Sequence, residues 1–165
     1  MWIVKNSKVH GHGVFAKKNI KKNTKIIQYI GEKVTRSEGN KRSEKRIKKY
    51  LNSNKTGSVY IFELNKNYDI DGSPNYNKAR YINHSCSPNC EVDIINGEIW
   101  IQSIKNIRKG EELSYDYGYS FDKDDYKDHI CKCGSKDCIG FIISSDQWDK
   151  YLKYLKKIIK KKINN

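Results

Sequence analysis

The chain has 165 residues, with 33 Lys and Arg against 19 Asp and Glu, a formal net charge of +14 and a pI near 9.5. That length suits one domain burying about 70% of its extended surface, and 36% apolar with 12% aromatic residues supports a packed core and excludes wholesale disorder. The longest apolar stretch, around Ile139 to Ile143, is far short of the roughly 20 residues of a membrane span, and MWIVKNSK lacks the apolar core of a secretory signal, so a soluble intracellular protein without membrane contact is expected.

The elements begin with strands. Trp2–Lys5, Gly13–Ala16 and Lys25–Ile30 are short β-prone runs bounded by Gly, Asn and Lys. Thr35-Arg-Ser-Glu38 has the form of a capping box, in which Thr and Glu side chains satisfy the exposed amides of a helix start. The helix it opens, Arg36 to about Leu51, has Glu44–Lys48 at i,i+4 but only Ile47, Tyr50 and Leu51 as apolar anchors. A solvated basic surface helix, outside the core, is predicted there.

Strands return from Ser58 with SVYIFEL and then NYDIDG. EVDII and EIWIQ alternate around Asn96-Gly97, the strongest short-range hairpin signal a sequence offers. Glu112–Tyr117 follows the turn at Lys109-Gly110 as a further strand. The prediction is a mainly β fold of many short strands and few helices, with no repeat or linker to mark a second domain. Near the end, Ser145-Asp146 reads as an N-cap. Trp148, Leu152, Leu155 and Ile159 then share one helical face, with Lys150, Lys153, Lys156, Lys157, Lys160 and Lys161 filling the remainder. A helix docked by that stripe with its lysine face solvated is the expectation; a membrane-surface or nucleic-acid contact is the sharper alternative.

Three of the five cysteines form Cys131-x-Cys133-x-x-x-x-Cys138 with Gly134 at the turn. Soft thiolates this close suit tetrahedral Zn²⁺, and the odd count without a signal peptide disfavours disulfides. The fourth ligand is open among Cys86, Cys90 and His129. His129 is near in sequence, whereas a ligand at residue 86 would staple the tail onto the domain body and give the metal a structural purpose.

Three segments narrow the function. His10-Gly-His-Gly-Val-Phe15 alone reads as a turn that glycine's positive φ permits. Arg80–Cys90, RYINHSCSPNC, is dense in polar groups with Pro88 inside it. Gly110–Tyr119, GEELSYDYGY, sets Tyr115, Tyr117 and Tyr119 on one face if extended. Together with YIGE (Tyr29–Glu32), VYIFEL and CKCGSKDC, these strings resemble, in content and order, the SET-domain protein-lysine methyltransferases over nearly the whole chain. The short length, without a cysteine-rich region ahead of the domain, is most similar to the compact, stand-alone members found in bacteria.

The resemblance implies a β-rich SET fold of several small sheets over residues 1–120, in which the NHS and YDY segments cross as a pseudoknot, a rare exception to unthreaded topology. It implies a post-SET zinc knuckle over 127–143, followed by the basic amphipathic helix over 145–163, all in one compact unit. S-adenosylmethionine is the implied methyl donor and one zinc ion the implied structural metal. Gly11, His12, Gly13, Phe15, Asn83, His84 and Tyr117 take the donor-binding positions, with Phe141 a contact over the adenine. Tyr117 takes the catalytic position, and Tyr115 the position that tunes how many methyl groups are added. Cys86 becomes the fourth zinc ligand beside Cys131, Cys133 and Cys138, which leaves Cys90 a buried thiol.

Methyl transfer from a sulfonium to an amine is an in-line displacement, for which a protein supplies alignment, desolvation and a neutral nucleophile. A narrow apolar channel beside a sulfonium lowers a lysine pKa from about 10.4. No carboxylate base is then needed, and neither Glu111 nor Asp116 is assigned that role. The Tyr115 hydroxyl should restrict the channel to mono- or dimethylation. Two rivals are a catalytically inactive, zinc-stapled binding module, against which intact Asn83, His84, Tyr115 and Tyr117 argue, and a basic nucleic-acid-associated protein. No nucleic-acid reader motif is present, so such contact would be weak, electrostatic and steeply salt-dependent.

The charge itself divides. Only five basic residues are Arg and 28 are Lys, in a chain with 22 Ile and 16 Asn, so part of the lysine richness reflects A/T-rich codons rather than a polyanionic partner. Residues 1–49 carry +12, residues 50–130 carry −4 and residues 131–165 carry +6. The acidic middle holds the motifs and suits a substrate lysine in a basic protein segment, such as a histone-like tail. A monomer is expected, cytoplasmic in a bacterium and nuclear in a eukaryote.

Overall fold

Ten strands of two to six residues pair into four small sheets in the computed structural model, which describes residues 1–51 and 59–163. β1 (Trp2–Asn6) and β2 (His12–Ala16) form an antiparallel pair. β3 (Lys25–Tyr29) lies against β9 (Glu98–Ser103), whose other edge pairs with β8 (Cys90–Ile95). β6 (Tyr68–Asp71) is central between β4 (Glu32–Thr35) and β5 (Ile61–Glu63). β7 (Asn83–His84) and β10 (Ser114–Tyr115) form a short parallel ladder, which lays the NHS and YDY segments side by side. This is the small-sheet β architecture expected from the sequence. Among the described residues, no helix is long and apolar enough to cross a membrane.

Strands this short cannot each cover a face, so the sheets converge on a shared core. Val14 and Ala16 of β2, Ile27 and Tyr29 of β3, and Ile99 and Ile101 of β9 bury alternate positions around Ile82, Ile107 and Leu113, the large aliphatic side chains each contributing about 1.5–3 kcal/mol. Asn96 and Gly97 take φ of +53° and +77°, the turn that matches strand twist and joins β8 to β9 in the expected register. Two strands are shorter than predicted. Tyr60 has φ +59°, so the SVYIFEL run pairs only from Ile61; Ser58 lies outside the described residues. After Tyr115 the backbone leaves the ladder because the Tyr117 N–H donates to His84 Nδ1 (3.2 Å) and the Gly118 N–H to Asp116 Oδ1 (3.0 Å).

Helix α1 (Arg36–Leu51) is the exposed surface helix expected, outside the hydrophobic core, but ion pairs that the sequence did not show tie it to the sheet. Thr35 Oγ1 caps the Glu38 N–H at 3.3 Å, but the Glu38 carboxylate accepts from Arg42 Nε (2.8 Å) instead of closing the box. The side chains that face the sheet are arginines. Arg36 reaches Asp69 (2.8 Å), and Arg42 and Arg46 reach Asp71, two β6 carboxylates that are 1% and 2% exposed. Gly39 is needed on that face, since a Cβ there would stand 2.2 Å from Asp69 Oδ2. Scarcity of apolar anchors in the sequence hid an interface built from ion pairs.

The tail forms a second cluster, with Phe121, Tyr126, Ile143 and Tyr151 buried and Trp148, Tyr154, Leu155 and Phe141 packed on them. A 3-10 turn, Ser145–Gln147, leads into α2 (Trp148–Ile163). Ser145 is not a side-chain cap; its own N–H donates to Asp116 Oδ2 (2.9 Å). The docked stripe is also rotated from the one predicted. Leu152 and Ile159 are 45% and 55% exposed, whereas Tyr151 is 4% exposed, because the tyrosines supply the packing face that a reading of aliphatic residues alone misplaces. The six lysines of the expected polar face are all exposed.

Candidate active site

The β7–β10 ladder places Asn83 beside Ser114 and His84 beside Tyr115, so both motifs feed one site. Tyr115 ends β10, and Tyr117 and Tyr119 follow in the irregular segment after it, where Gly118 has φ +69°; their rings still stack in sequence, with centroids 5.0 and 5.9 Å apart. The row continues through Phe62, 5.7 Å from Tyr115, to Tyr29, 4.5 Å further on. At the other end His129 packs edge-on against Tyr119 at 5.1 Å. Burial, the largest cause, pushes the hydroxyls of Tyr29, Tyr115, Tyr117 and Tyr119 above the ordinary tyrosine range. They are therefore neutral hydrogen-bonding groups near pH 7, not bases. Tyr117 Oη donates to the Ile82 carbonyl (3.0 Å) and Tyr29 Oη to the Tyr60 carbonyl (3.1 Å).

Asn83, His84, Tyr115 and Tyr117 meet as the motifs suggested. Tyr29, Tyr60 and Phe62 were missed, and Tyr119, set on one face with Tyr115 and Tyr117, was given no role; all four lie inside the matched strings, but side-chain roles within a string are set by the fold. The imidazole of His84 is 4% exposed. Burial lowers its pKa, opposed by Asp116 at 3.8 Å. Its Nδ1 accepts the Tyr117 N–H, and Nε2 lies 3.6 Å from Cys86 Sγ.

At the glycine turn before β2, the His10–His12 loop is exposed. Gly11 has φ +46° with no atom within 4 Å of a Cβ position, which leaves an open surface beside the turn. Asn83 Nδ2 donates to Glu112 Oε1 (2.7 Å) and to the His12 carbonyl (3.0 Å), while Ser7 Oγ bonds the same carboxylate at 2.8 Å. Gly13 accommodates that carboxylate, because a Cβ would stand 2.2 Å from Glu112 Oε1. Phe15 bridges to Glu112 through the backbone. Glu112, unassigned from sequence, thus organises Gly13, Asn83 and the loop. This open glycine turn, backed by fixed amide and carboxylate groups, fits the polar end of an amino-acid-bearing donor. The Phe141 ring packs against Tyr126 (4.9 Å) and Tyr151 (6.0 Å) in the tail cluster.

Cys86, Cys131, Cys133 and Cys138 gather their sulfurs within 4.8 Å of one another. Separations of 3.8 Å (Cys86–Cys131) and 3.9 Å (Cys86–Cys138) are those of a tetrahedron with about 2.3 Å metal–sulfur bonds. The set therefore fits one tetrahedral thiolate-bound ion. Burial pushes the Cys86 thiol up to about 11, whereas for Cys133 burial is outweighed by hydrogen bonds, the Ser135 hydroxyl foremost, that bring it down to about 6. His129 is occupied against Tyr119 and outside this set. Cys90 is buried with its thiol pushed up to about 12, chiefly by burial.

Comparison with known proteins agrees with this geometry. The family described as SET domain matches residues 11–118. A protein of Aspergillus oryzae named histone-lysine N-methyltransferase, H3 lysine-4 specific, is 39% identical over 82% of this chain and 11% of its own length. Human histone-lysine N-methyltransferase 2D is 38% identical over 80% of this chain and 2% of its own. Histone-lysine N-methyltransferase trr of Drosophila melanogaster is 40% identical over 80% and 5%. The chain thus spans about a tenth or less of the length of these relatives.

Proposed function

This chain belongs to the SET-domain family, and from that premise we propose that it transfers a methyl group from S-adenosylmethionine to the ε-amine of a lysine in a basic protein segment, adding one or two methyl groups. The observation that carries the reading is the continuous aromatic row from Tyr29 to Tyr119, buried at Tyr29 and Tyr115 and half-buried at Phe62, Tyr117 and Tyr119, with the Tyr117 hydroxyl fixed inside it. When bound, the donor would supply a sulfonium methyl group to the neutral lysine nitrogen, the C–S bond breaking as the C–N bond forms, and the methylated ammonium would lose its surplus proton to bulk water once outside the aromatic walls.

The chain's own residues supply alignment. The Tyr117 O–H donates a hydrogen bond to the Ile82 carbonyl, so the oxygen offers lone pairs to an amine N–H and turns the nitrogen lone pair toward the methyl group. The aromatic walls exclude water and disfavour an ammonium beside a sulfonium. Tyr115, 6% exposed, fills the channel where a second or third methyl group must fit. Cys86, Cys131, Cys133 and Cys138 would hold a Zn²⁺ ion that staples the tail to the NHS segment. The relatives' names support a histone-like substrate. The exposed carboxylates Asp122, Asp124, Asp125 and Asp128 follow directly on the tyrosine motif and suit a basic segment.

The test is methylation of mixed core histones, and of the chain itself, with labelled donor and mapping by mass spectrometry. Label on lysine is expected. Tyr117→Phe should lower kcat by about 10²–10³-fold with donor affinity changed by less than about threefold. Zinc-loaded, donor-binding protein that methylates neither acceptor would make the chain a binding module, and an unchanged Tyr117→Phe rate would remove that hydroxyl from the reaction.

A further inference from the structure

We propose that His84 is a positioning residue that couples the metal knuckle to the reaction-site tyrosine, one ring nitrogen serving each. The inference rests on the metal reading above. A backbone amide can only donate, so the Tyr117 N–H at 3.2 Å requires His84 Nδ1 to be without a proton. A neutral imidazole then carries its proton on Nε2, and Cys86 Sγ, 3.6 Å away, is the acceptor there. The ring is 4% exposed and stands edge-on to the Tyr117 ring at 5.4 Å. With both nitrogens committed inside the protein, the His84 side chain serves the site through its neighbours rather than by holding the donor.

The consequence runs in both directions. An N–H···S bond stabilises the Cys86 thiolate as a metal ligand and fixes its direction, the service that an outer partner gives a ligand. A bound ion in turn immobilises Cys86, which holds the imidazole, which holds the amide of Tyr117 and hence the start of its side chain. Asp116, between Tyr115 and Tyr117, accepts from the Ser145 N–H (2.9 Å) at the start of the C-terminal helix. The Tyr115–Tyr117 segment is thus tied to the tail at Asp116 and, through His84 and Cys86, at Tyr117. Occupancy of the knuckle sets the order of the reaction site.

Two substitutions separate the ends of the bridge. In His84→Asn the amide oxygen takes the place of Nδ1 and accepts the Tyr117 N–H, but nothing reaches Cys86. In His84→Gln the amide nitrogen takes the place of Nε2 and reaches the sulfur. Zinc affinity is measured by competition with a chromophoric chelator, and exchange of the Tyr117 amide by NMR in zinc-loaded and zinc-stripped protein, with Ile101 at the core as reference. We expect zinc affinity to fall about 10–100-fold in His84→Asn and to stay within about threefold in His84→Gln. Stripping zinc from the wild type should speed Tyr117 exchange at least about tenfold and leave Ile101 unchanged; in His84→Asn the Tyr117 response should shrink below about twofold.

Wild-type zinc affinity in His84→Asn, or a Tyr117 amide indifferent to zinc in the wild type, overturns the bridge. Equal acceleration of Ile101 also overturns it, since the metal then holds the whole fold rather than this segment. If His84→Asn does not fold, the wild-type exchange data and the His84→Gln affinity decide alone. Failure of the wild type to take up one equivalent of zinc overturns the metal site and the bridge together, whereas intact coupling without methyl transfer overturns only the activity proposed above.

Discussion

Asp71→Ala tests the ionic interface that the sequence concealed. The Asp71 carboxylate, 2% exposed, accepts from Arg42 Nη1 (2.9 Å), Arg46 Nη1 (3.0 Å), Arg46 Nη2 (2.9 Å) and the Ser73 N–H (3.1 Å). Removing one member of a buried charge cluster costs about 3–5 kcal/mol, because its partners are left uncompensated. Here the Arg42 and Arg46 side chains are 28% and 23% exposed, and Arg42 keeps Glu32 and Glu38. The cost should therefore sit near the low end, about 3 kcal/mol, or a Tm loss of about 6–12 °C for a chain of this size. Burial alone would push the Asp71 carboxyl up, but the hydrogen bonds from Arg46 and Arg42 outweigh it and hold the carboxyl well below the usual carboxylate range. The unfolded chain then binds more protons than the folded one as pH falls below about 4. The Asp71 contribution is thus complete above that pH and lost in acid. Urea denaturation at pH 7, repeated from pH 5 to pH 3, reads both effects. The reasoning fails if Asp71→Ala lies within about 0.5 kcal/mol of wild type at pH 7, or if the two proteins lose stability in acid with the same slope.

Tyr115→Phe should shift the product distribution toward trimethyllysine without loss of folding, read by mass spectrometry of a methylated peptide; wild-type protein that already trimethylates efficiently would contradict the role given to that hydroxyl. The rotated docking stripe of α2 separates two adjacent residues. Tyr151→Ala should cost about 3–4 kcal/mol in denaturant, as removal of a buried aromatic does, and Leu152→Ala less than about 0.5 kcal/mol. The reverse order would restore the stripe that the aliphatic periodicity suggested.

Much of the site was legible because its chemistry is carried by short contiguous strings. Asn83 and His84 sit two strands away from Tyr115 and Tyr117 in sequence, yet each string names its members, and the β7–β10 ladder joins them. The hairpin at Asn96-Gly97 was legible for a local reason, since both residues tolerate positive φ. What escaped were contacts set by distant parts of the chain. Glu112 looked like one of two acidic residues before a strand, and only the approach of Ser7, Gly13 and Asn83 makes it an organiser. Asp69 and Asp71 counted toward an acidic middle that would greet a basic substrate, but Arg36, Arg42 and Arg46 already occupy them. Summed charge over a segment cannot tell a carboxylate facing solvent from one facing a helix.

The same arginines give the lysine excess its meaning, and Arg46→Lys puts that to the test. Where 28 of 33 basic residues are Lys, the three arginines of α1 stand where a point charge would not serve. Arg46 spans four acceptors at once, namely both Asp71 oxygens, the Val59 carbonyl (2.7 Å) and Ser73 Oγ (2.9 Å). A lysine ammonium could keep one carboxylate contact but not the fork, which removes at least two charge-assisted hydrogen bonds, about 2 kcal/mol net. The loss should reach the site as well. Val59 precedes Tyr60, whose carbonyl accepts from the Gly72 N–H (2.8 Å) and from Tyr29 Oη (3.1 Å), so a loosened Val59 frees one wall of the aromatic row. Arg46→Lys should therefore raise KM for a peptide acceptor more than it lowers kcat, while Lys153→Arg on the exposed face of α2 changes stability by less than about 0.5 kcal/mol. Equal stability of Arg46→Lys and wild type in urea would mean that fork geometry is not why arginine stands there.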